Sequence, residues 1–230
     1  VVALGDLAAL ASERVHAYRL VNSKYPPVAL FDDVADASEF DALYQIQALT
    51  NPRLQNELGR LELIARTQIP FGIVGCSYAT APFTHINPAG SRFSDGSYGV
   101  LYVAQTLETA LLEVRHHQDR YWSNVPGLGY ERFVFRGLCC TFEQAGMLDA
   151  TQVPEADALY DSRDYGEGRR LGRALRDAGL PGLRYRSVRN PGQHCWALMT
   201  PRPVQSVVQT AHFEMVWNGR ITSVSKISPA

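Results

Sequence analysis

No segment of this sequence is apolar for long enough to cross a membrane as a helix. Residues 1–10 are apolar but short, carry Asp6 and lack a basic flank, which reads against a secretory signal. The missing initiator methionine is read as trimming or as absent leading residues. Neither sign of charge is in excess, with 22 Lys and Arg against 23 Asp and Glu and a net charge of −1. A surface without a basic field speaks against nucleic acid as the main partner. The four cysteines, Cys76, Cys139, Cys140 and Cys195, show no CxxC spacing, so no zinc site is expected. Vicinal Cys139 and Cys140 read as small buried side chains rather than a disulfide, which suits a reducing, cytoplasmic compartment. There is no internal repeat and no low-complexity tract. What is present is 230 residues, 46% hydrophobic and 20% charged, enough for one well-buried globular domain with an extension.

The stretch 91–117 organises the chain. Gly96 and Gly99 bracket a turn whose backbone can approach a ligand. Residues 100–104 form an apolar run around Tyr102 and predict a short strand, with Leu101 and Val103 facing one way and Val100, Tyr102 and Ala104 the other. Thr106 is a candidate N-cap and Glu108 complements the helix dipole. Leu107, Ala110, Leu111 and Val114 recur at helical spacing as a buried stripe. Glu113 and His117, four apart, share a face about a quarter turn from that stripe. They would stand at the edge of the core, either as a cleft wall or as an ordinary solvated pair.

Around this centre the pattern predicts a helix over 2–15, a strand over 18–21, and a break at Pro26-Pro27. Helices follow over 36–48 and 53–63, so that residues 20–65 read as a helical insertion or cap. Residues 69–84 contain strand-like and small side chains, and 85–90 form a loop. Further on, strands are expected over 131–142, 182–188 and 195–199, with a helix over 165–178 ended by Gly179. That helix carries Arg169, Arg170, Arg173 and Arg176 on its outer side, as a solvated face or a partner contact. Asn218-Gly219 suits a type I′ turn joining two strands. The sum is an α+β fold, divided as residues 1–84, an N-terminal strand with a helical extension, and a core over residues 85–230 in one compact unit.

Gly90-Ser91-Arg92-Phe93, the run 99–104, the run 108–113 and Tyr185-Arg186-Ser187-Val188-Arg189 together resemble the RES domain, named for its arginine, glutamate and serine. Tyr18-Arg19 is similar to the Tyr-Arg near that family's start. The likeness covers roughly residues 85–205, while the stretch between 20 and 80 departs from compact members of the family. The resemblance implies an ADP-ribosyltransferase-like mixed β core. It implies a toxin of a bacterial toxin–antitoxin pair that acts on NAD as substrate, with no bound cofactor, and causes growth arrest. It also implies a helix-turn-helix antitoxin that occludes the cleft, in a hetero-oligomer.

Under that resemblance each residue receives a role. Glu113 would stabilise the oxocarbenium-like cation formed when the nicotinamide–ribose bond breaks. Arg92, and on a separate strand Arg19, would hold the pyrophosphate through guanidinium forks. Tyr102 would stack on nicotinamide or position the ribose. Ser187, outside any Gly-x-Ser-x-Gly elbow, would bond the amide or orient Glu113 rather than act as nucleophile. His117 would orient Glu113 or move a proton. His85 is a further residue that could approach the cleft, and His194-Cys195 reads as structural, with no metal expected. Water, phosphate or a protein side chain could accept the ADP-ribose; the residues leave this open. A non-catalytic antitoxin-binding module and an RNA-cleaving toxin are the competing classes, the second disfavoured by the near-neutral charge.

Overall fold

The computed structural model describes residues 1–24, 31–32, 34–50 and 58–227. Among these, nine strands form one mixed sheet in the order β1-β5-β6-β7-β3-β2-β4-β8-β9. The strands are β1 (Ala8–Ala9), β2 (Arg14–Asn22), β3 (Leu101–Ala104), β4 (Glu131–Glu143) and β5 (Leu148–Asp149), then β6 (Gly182–Arg186), β7 (His194–Leu198), β8 (Val204–Trp217) and β9 (Ile221–Ile227). Only β5 and β6 run parallel; every other neighbouring pair is antiparallel. Four helices, α1 (Ala37–Thr50), α2 (Cys76–Thr84), α3 (Leu107–Trp122) and α4 (Gly166–Asp177), cover its two faces.

Strand alternation sorts the core into two layers. Tyr102 and Ala104 of β3 join Phe93, Tyr98, Ala110, Leu171 and Leu175 on the face covered by α3 and α4. Leu101 and Val103 join Phe40, Cys76, Ala79, Phe83 and Leu138 on the face covered by α1 and α2. Each fully buried Phe or Leu contributes roughly 1.5–3 kcal/mol by leaving water. The 13 residues of β4 pair with β2 on one side and β8 on the other, so the sheet is widest at its centre.

Three expectations are corrected. Residues 2–15 are not a helix: Leu4–Asp6 is one 3-10 turn, and β1 and β2 follow. Pairing of Ala8 and Ala9 with β5, and of Arg14 and Val15 with β4, outweighs the helical propensity of the Ala and Leu there. Within 69–84, Cys76–Thr84 is α-helical rather than extended. Gly75, at φ 76°, lets the chain turn into α2 against the Val207 carbonyl, which a Cβ would meet at 2.1 Å. Of the helix expected over 53–63, residues 53–57, like the Pro26-Pro27 break, lie outside the described residues, while Leu58 is helical and Leu61–Leu63 forms a 3-10 turn. The β8–β9 hairpin exists, but its turn is not type I′. Of its residues only Gly219 has positive φ, at 71°, and a three-residue loop closes with Asn218 N–H donating to Arg220 O at 2.8 Å.

Segment 1–84 supplies β1 and the central β2 to the same sheet as the remainder of the chain. No helix of the described residues is long and apolar enough to cross a membrane.

Candidate functional site

The site is assembled where the loop before β3, the helix α3 and the turn after β6 meet. Thr106 caps α3, its Oγ1 accepting from Thr109 N–H at 3.1 Å. That fixes the helix start and carries Glu113 to the side facing the end of β6. There Ser187 Oγ donates to Glu113 Oε1 at 2.7 Å. Ser187 is itself buried, and its Oγ accepts from Arg189 N–H at 3.2 Å and Asn190 N–H at 3.0 Å. Asn190 Nδ2 returns to α3 by donating to Thr109 Oγ1 at 2.9 Å. The serine therefore sits at the hub of a turn that is stapled to the helix bearing the acid.

Arg92 is placed by its loop. Its Nη1 donates to Leu159 O and Asp161 O, both at 3.0 Å, and its guanidinium lies 4.6 Å from the centre of the Tyr165 ring. One end of the fork is thereby pinned, and the side chain remains half-buried. Tyr102 holds the backbone of this loop: its hydroxyl accepts from Phe93 N–H at 2.9 Å and is hydrogen-bonded to Ser91 Oγ at 2.8 Å. The ring stacks beside Phe93, 6.4 Å between centres. Geometry thus makes Tyr102 the residue that positions Arg92 through its neighbours.

Helix α4 clamps the same loop. Cβ atoms at Gly168 and Gly172 would meet Arg92 O at 2.4 Å and Phe93 O at 2.0 Å. Arg169 donates to Ser91 O and Ala89 O at 3.1 and 2.8 Å, and Arg173 donates to Asp95 and Ser97. Arg173 and Arg176 both lie over the Tyr98 ring. Three of the four arginines expected on a solvated face hold the glycine loop in place, and Arg170 ties Glu167 to Val2 O.

Both Glu113 and Arg92 act on the same two buried groups. Burial first, then the neighbouring Cys195 and the Glu113 charge, push the Tyr185 hydroxyl well up, and Arg92 opposes this. The Cys195 thiol, in the reach of Ser187 and Tyr185, is pushed up to about 12 by burial and then by Glu113, again opposed by Arg92. Burial also raises Tyr102 to about 12. His117, one turn beyond Glu113 and exposed, is crowded by protein, and Arg189, Arg92 and Arg120 lower its pKa further. His116 is lowered by burial and then by Arg189. At neutral pH the phenols, the thiol and the two imidazoles are uncharged, so the carboxylate and the guanidinium groups set the local field.

The structure brings Arg92, Tyr102, Glu113, His117 and Ser187 to one region and leaves Arg19 out of it. Arg19 is paired across the ladder with Leu138, which belongs to the α1/α2 face. Its sequence neighbour Tyr18 pairs with Ala104 on the α3/α4 face. Burial lowers the Arg19 pKa to about 10, and its sealed Nη1 has no hydrogen-bond acceptor. His85 instead lines a separate cavity of about 600 Å³ with Tyr44, Gly59 and Arg60. Arg189 and Asn190, in the polar turn directly after Ser187, and Thr109, in the first turn of α3, are additions.

Comparison with known proteins follows from this geometry. The RES domain family model matches residues 69–218. The chain belongs to the RES domain family. The match begins sixteen residues before the stretch that carried the resemblance, and so takes in α2 (69 against 85). The uncharacterized protein y4oC of Sinorhizobium fredii (strain NBRC 101917 / NGR234) is 32% identical over 210 residues, covering 88% of this chain and 83% of that protein. A chain in the crystal structure of the M. tuberculosis MbcT–MbcA toxin–antitoxin complex is similar at 13% identity with a TM-score of 0.39, over 54% of this chain and 73% of that one.

Proposed function

We propose that this RES domain protein is a toxin that cleaves the nicotinamide–ribose bond of NAD. The observation that carries the reading is the 2.7 Å bond by which Ser187 aims the Glu113 carboxylate into the region reached by Arg92. Membership of the RES family supports it.

In this reading Arg92 binds the pyrophosphate with the unpinned part of its fork. The C1′–N1 bond breaks and its electron pair neutralises the nicotinamide ring. The Glu113 carboxylate stabilises the cation left on the ribose. A nucleophile with an O–H then bonds to C1′ and gives up its proton, for which uncharged His117 is an available acceptor. The acceptor is water, phosphate or a protein side chain, and an antitoxin covering this face keeps the producing cell alive.

The test is incubation of the purified chain with NAD, with and without phosphate, followed by mass spectrometry. NAD should disappear and nicotinamide accumulate, and Glu113→Gln should abolish both. ADP-ribose or its 1″-phosphate among the products distinguishes hydrolysis from phosphorolysis. Label that appears only on a cellular protein indicates transfer. A folded wild-type protein that leaves NAD intact with and without phosphate and labels no cellular protein overturns the reading.

A further inference from the structure

We infer that Arg189 and Arg92 form a two-guanidinium clamp for a phosphoryl anion, the inference resting on the proposed site for its location and not for its chemistry. Three observations converge. The first is a shared anchor: Arg92 Nη1 donates to Leu159 O and Asp161 O, and Arg189 Nη2 donates to Ser162 O at 2.9 Å. Asp161 and Ser162 are adjacent, so one short stretch of backbone holds two cations roughly 10 Å or less apart.

The second is the absence of a direct ion pair. Arg132, Arg170, Arg173, Arg184 and Arg186 each sit on a carboxylate. Among the described residues neither Arg92 nor Arg189 has an acid within ion-pair distance. Asp161, whose Oδ1 accepts from the N–H groups of Arg163 and Asp164 at 2.7 and 2.8 Å, feels the Arg92 charge but makes no ion pair with it. Glu113 is turned toward Ser187. Like charges held together without a counter-ion repel, and a bound dianion relieves that repulsion. Carbonyl groups pin one nitrogen of each fork, which orders the guanidinium groups in advance of binding.

The third is convergence on one imidazole. After crowding by protein, the charges of Arg189 and Arg92 are the next influences that disfavour a proton on His117. Both charges therefore reach the same imidazole. Two sources fit a phosphoryl anion there: the pyrophosphate of a dinucleotide, or free phosphate arriving as a second reactant.

The experiment uses the full chain and two probes, ADP-ribose and inorganic phosphate, in isothermal titration. Arg189→Gln should weaken binding of the probe roughly ten- to hundredfold, the loss expected for charge-assisted bonds. Arg189→Lys keeps the charge, loses the fork and should fall between; it serves alone if Arg189→Gln does not fold by circular dichroism. Titrating phosphate into protein saturated with ADP-ribose separates the sources. Exclusion of phosphate assigns the clamp to the pyrophosphate, and retention assigns it to free phosphate. Unchanged binding of both probes in the Arg189 variants overturns the clamp even if the wild type consumes NAD. Arg189-dependent binding by a protein that never consumes NAD keeps the clamp and removes the NAD reading.

Discussion

Ser187 and Glu113 stand 74 residues apart in the chain, yet one hydrogen bond of 2.7 Å joins them. The bond gives the carboxylate a single direction, and the same hydroxyl terminates two backbone N–H groups. Replacing Ser187 by Ala removes both services. Leaving buried N–H groups without an acceptor costs roughly 1–3 kcal/mol. Ser187→Ala is expected to slow NAD loss about ten- to hundredfold through misaimed charge, beyond what its lower melting temperature explains. NAD turnover assayed well below the melting point checks this; wild-type turnover would remove Ser187 from the mechanism.

Gly172 lies under the Phe93 carbonyl so closely that a methyl group would collide with it at 2.0 Å. In an open helix Gly→Ala gains about 0.8–1 kcal/mol. Here overpacking, roughly 1–3 kcal/mol, decides the sign. Gly172→Ala should lower stability in urea denaturation and displace the loop that carries Arg92. Gly129, where a Cβ meets nothing within 4 Å, is the control and should change stability by less than about 0.5 kcal/mol.

Arg19 offers the opposite case. Its guanidinium is sealed on the face away from Glu113, with Nη1 unsatisfied. Replacing a buried, poorly compensated charge with an apolar chain of similar length is neutral or stabilising. Arg19→Met should leave NAD turnover unchanged and the melting temperature equal or higher. A collapse of turnover with stability intact would return Arg19 to the substrate.

Stability should depend on pH through the histidines. His117 and His116 have pKa values below the ordinary 6.5 in the folded protein. The unfolded chain therefore binds protons first as pH falls. Their contribution is fully present above about pH 6.5 and is lost progressively as pH drops from there through the folded values. Urea midpoints from pH 8 to 5 should be flat and then decline, and His117→Asn should make the decline shallower. An unaltered slope in that variant would contradict the assignment.

The parts legible in the sequence are those whose cause is local. The start of α3 at Thr106 and the placing of Glu113 on its flank follow from spacing within one helix. The end of α4 is similar, with Gly179 at φ 66° and Leu180 N–H bonding Leu175 O. What escaped depends on distant partners. Ala8 and Ala9 become a strand because Asp149 and Leu148 pair with them. The side to which Arg19 points is settled by a one-residue parity, and only knowledge of its ladder partner Leu138 resolves that. The arginines of α4 have the periodicity of a wet surface, and nothing nearby in sequence reveals the loop 78 residues earlier that they bind.

The order of the sheet also bears on biosynthesis. Arg92, Tyr102 and Glu113 leave the ribosome before Ser187 and the two strands, β6 and β7, that flank β3 on one side. A nascent chain arrested near Arg163 holds most of the reactive groups but not the turn that aims the acid. On the proposed activity, such an unfinished chain is harmless, and lethality arrives only with the last quarter of translation. Expression of residues 1–163 should accordingly leave growth untouched, and growth arrest by that fragment would show that the acid needs no such partner.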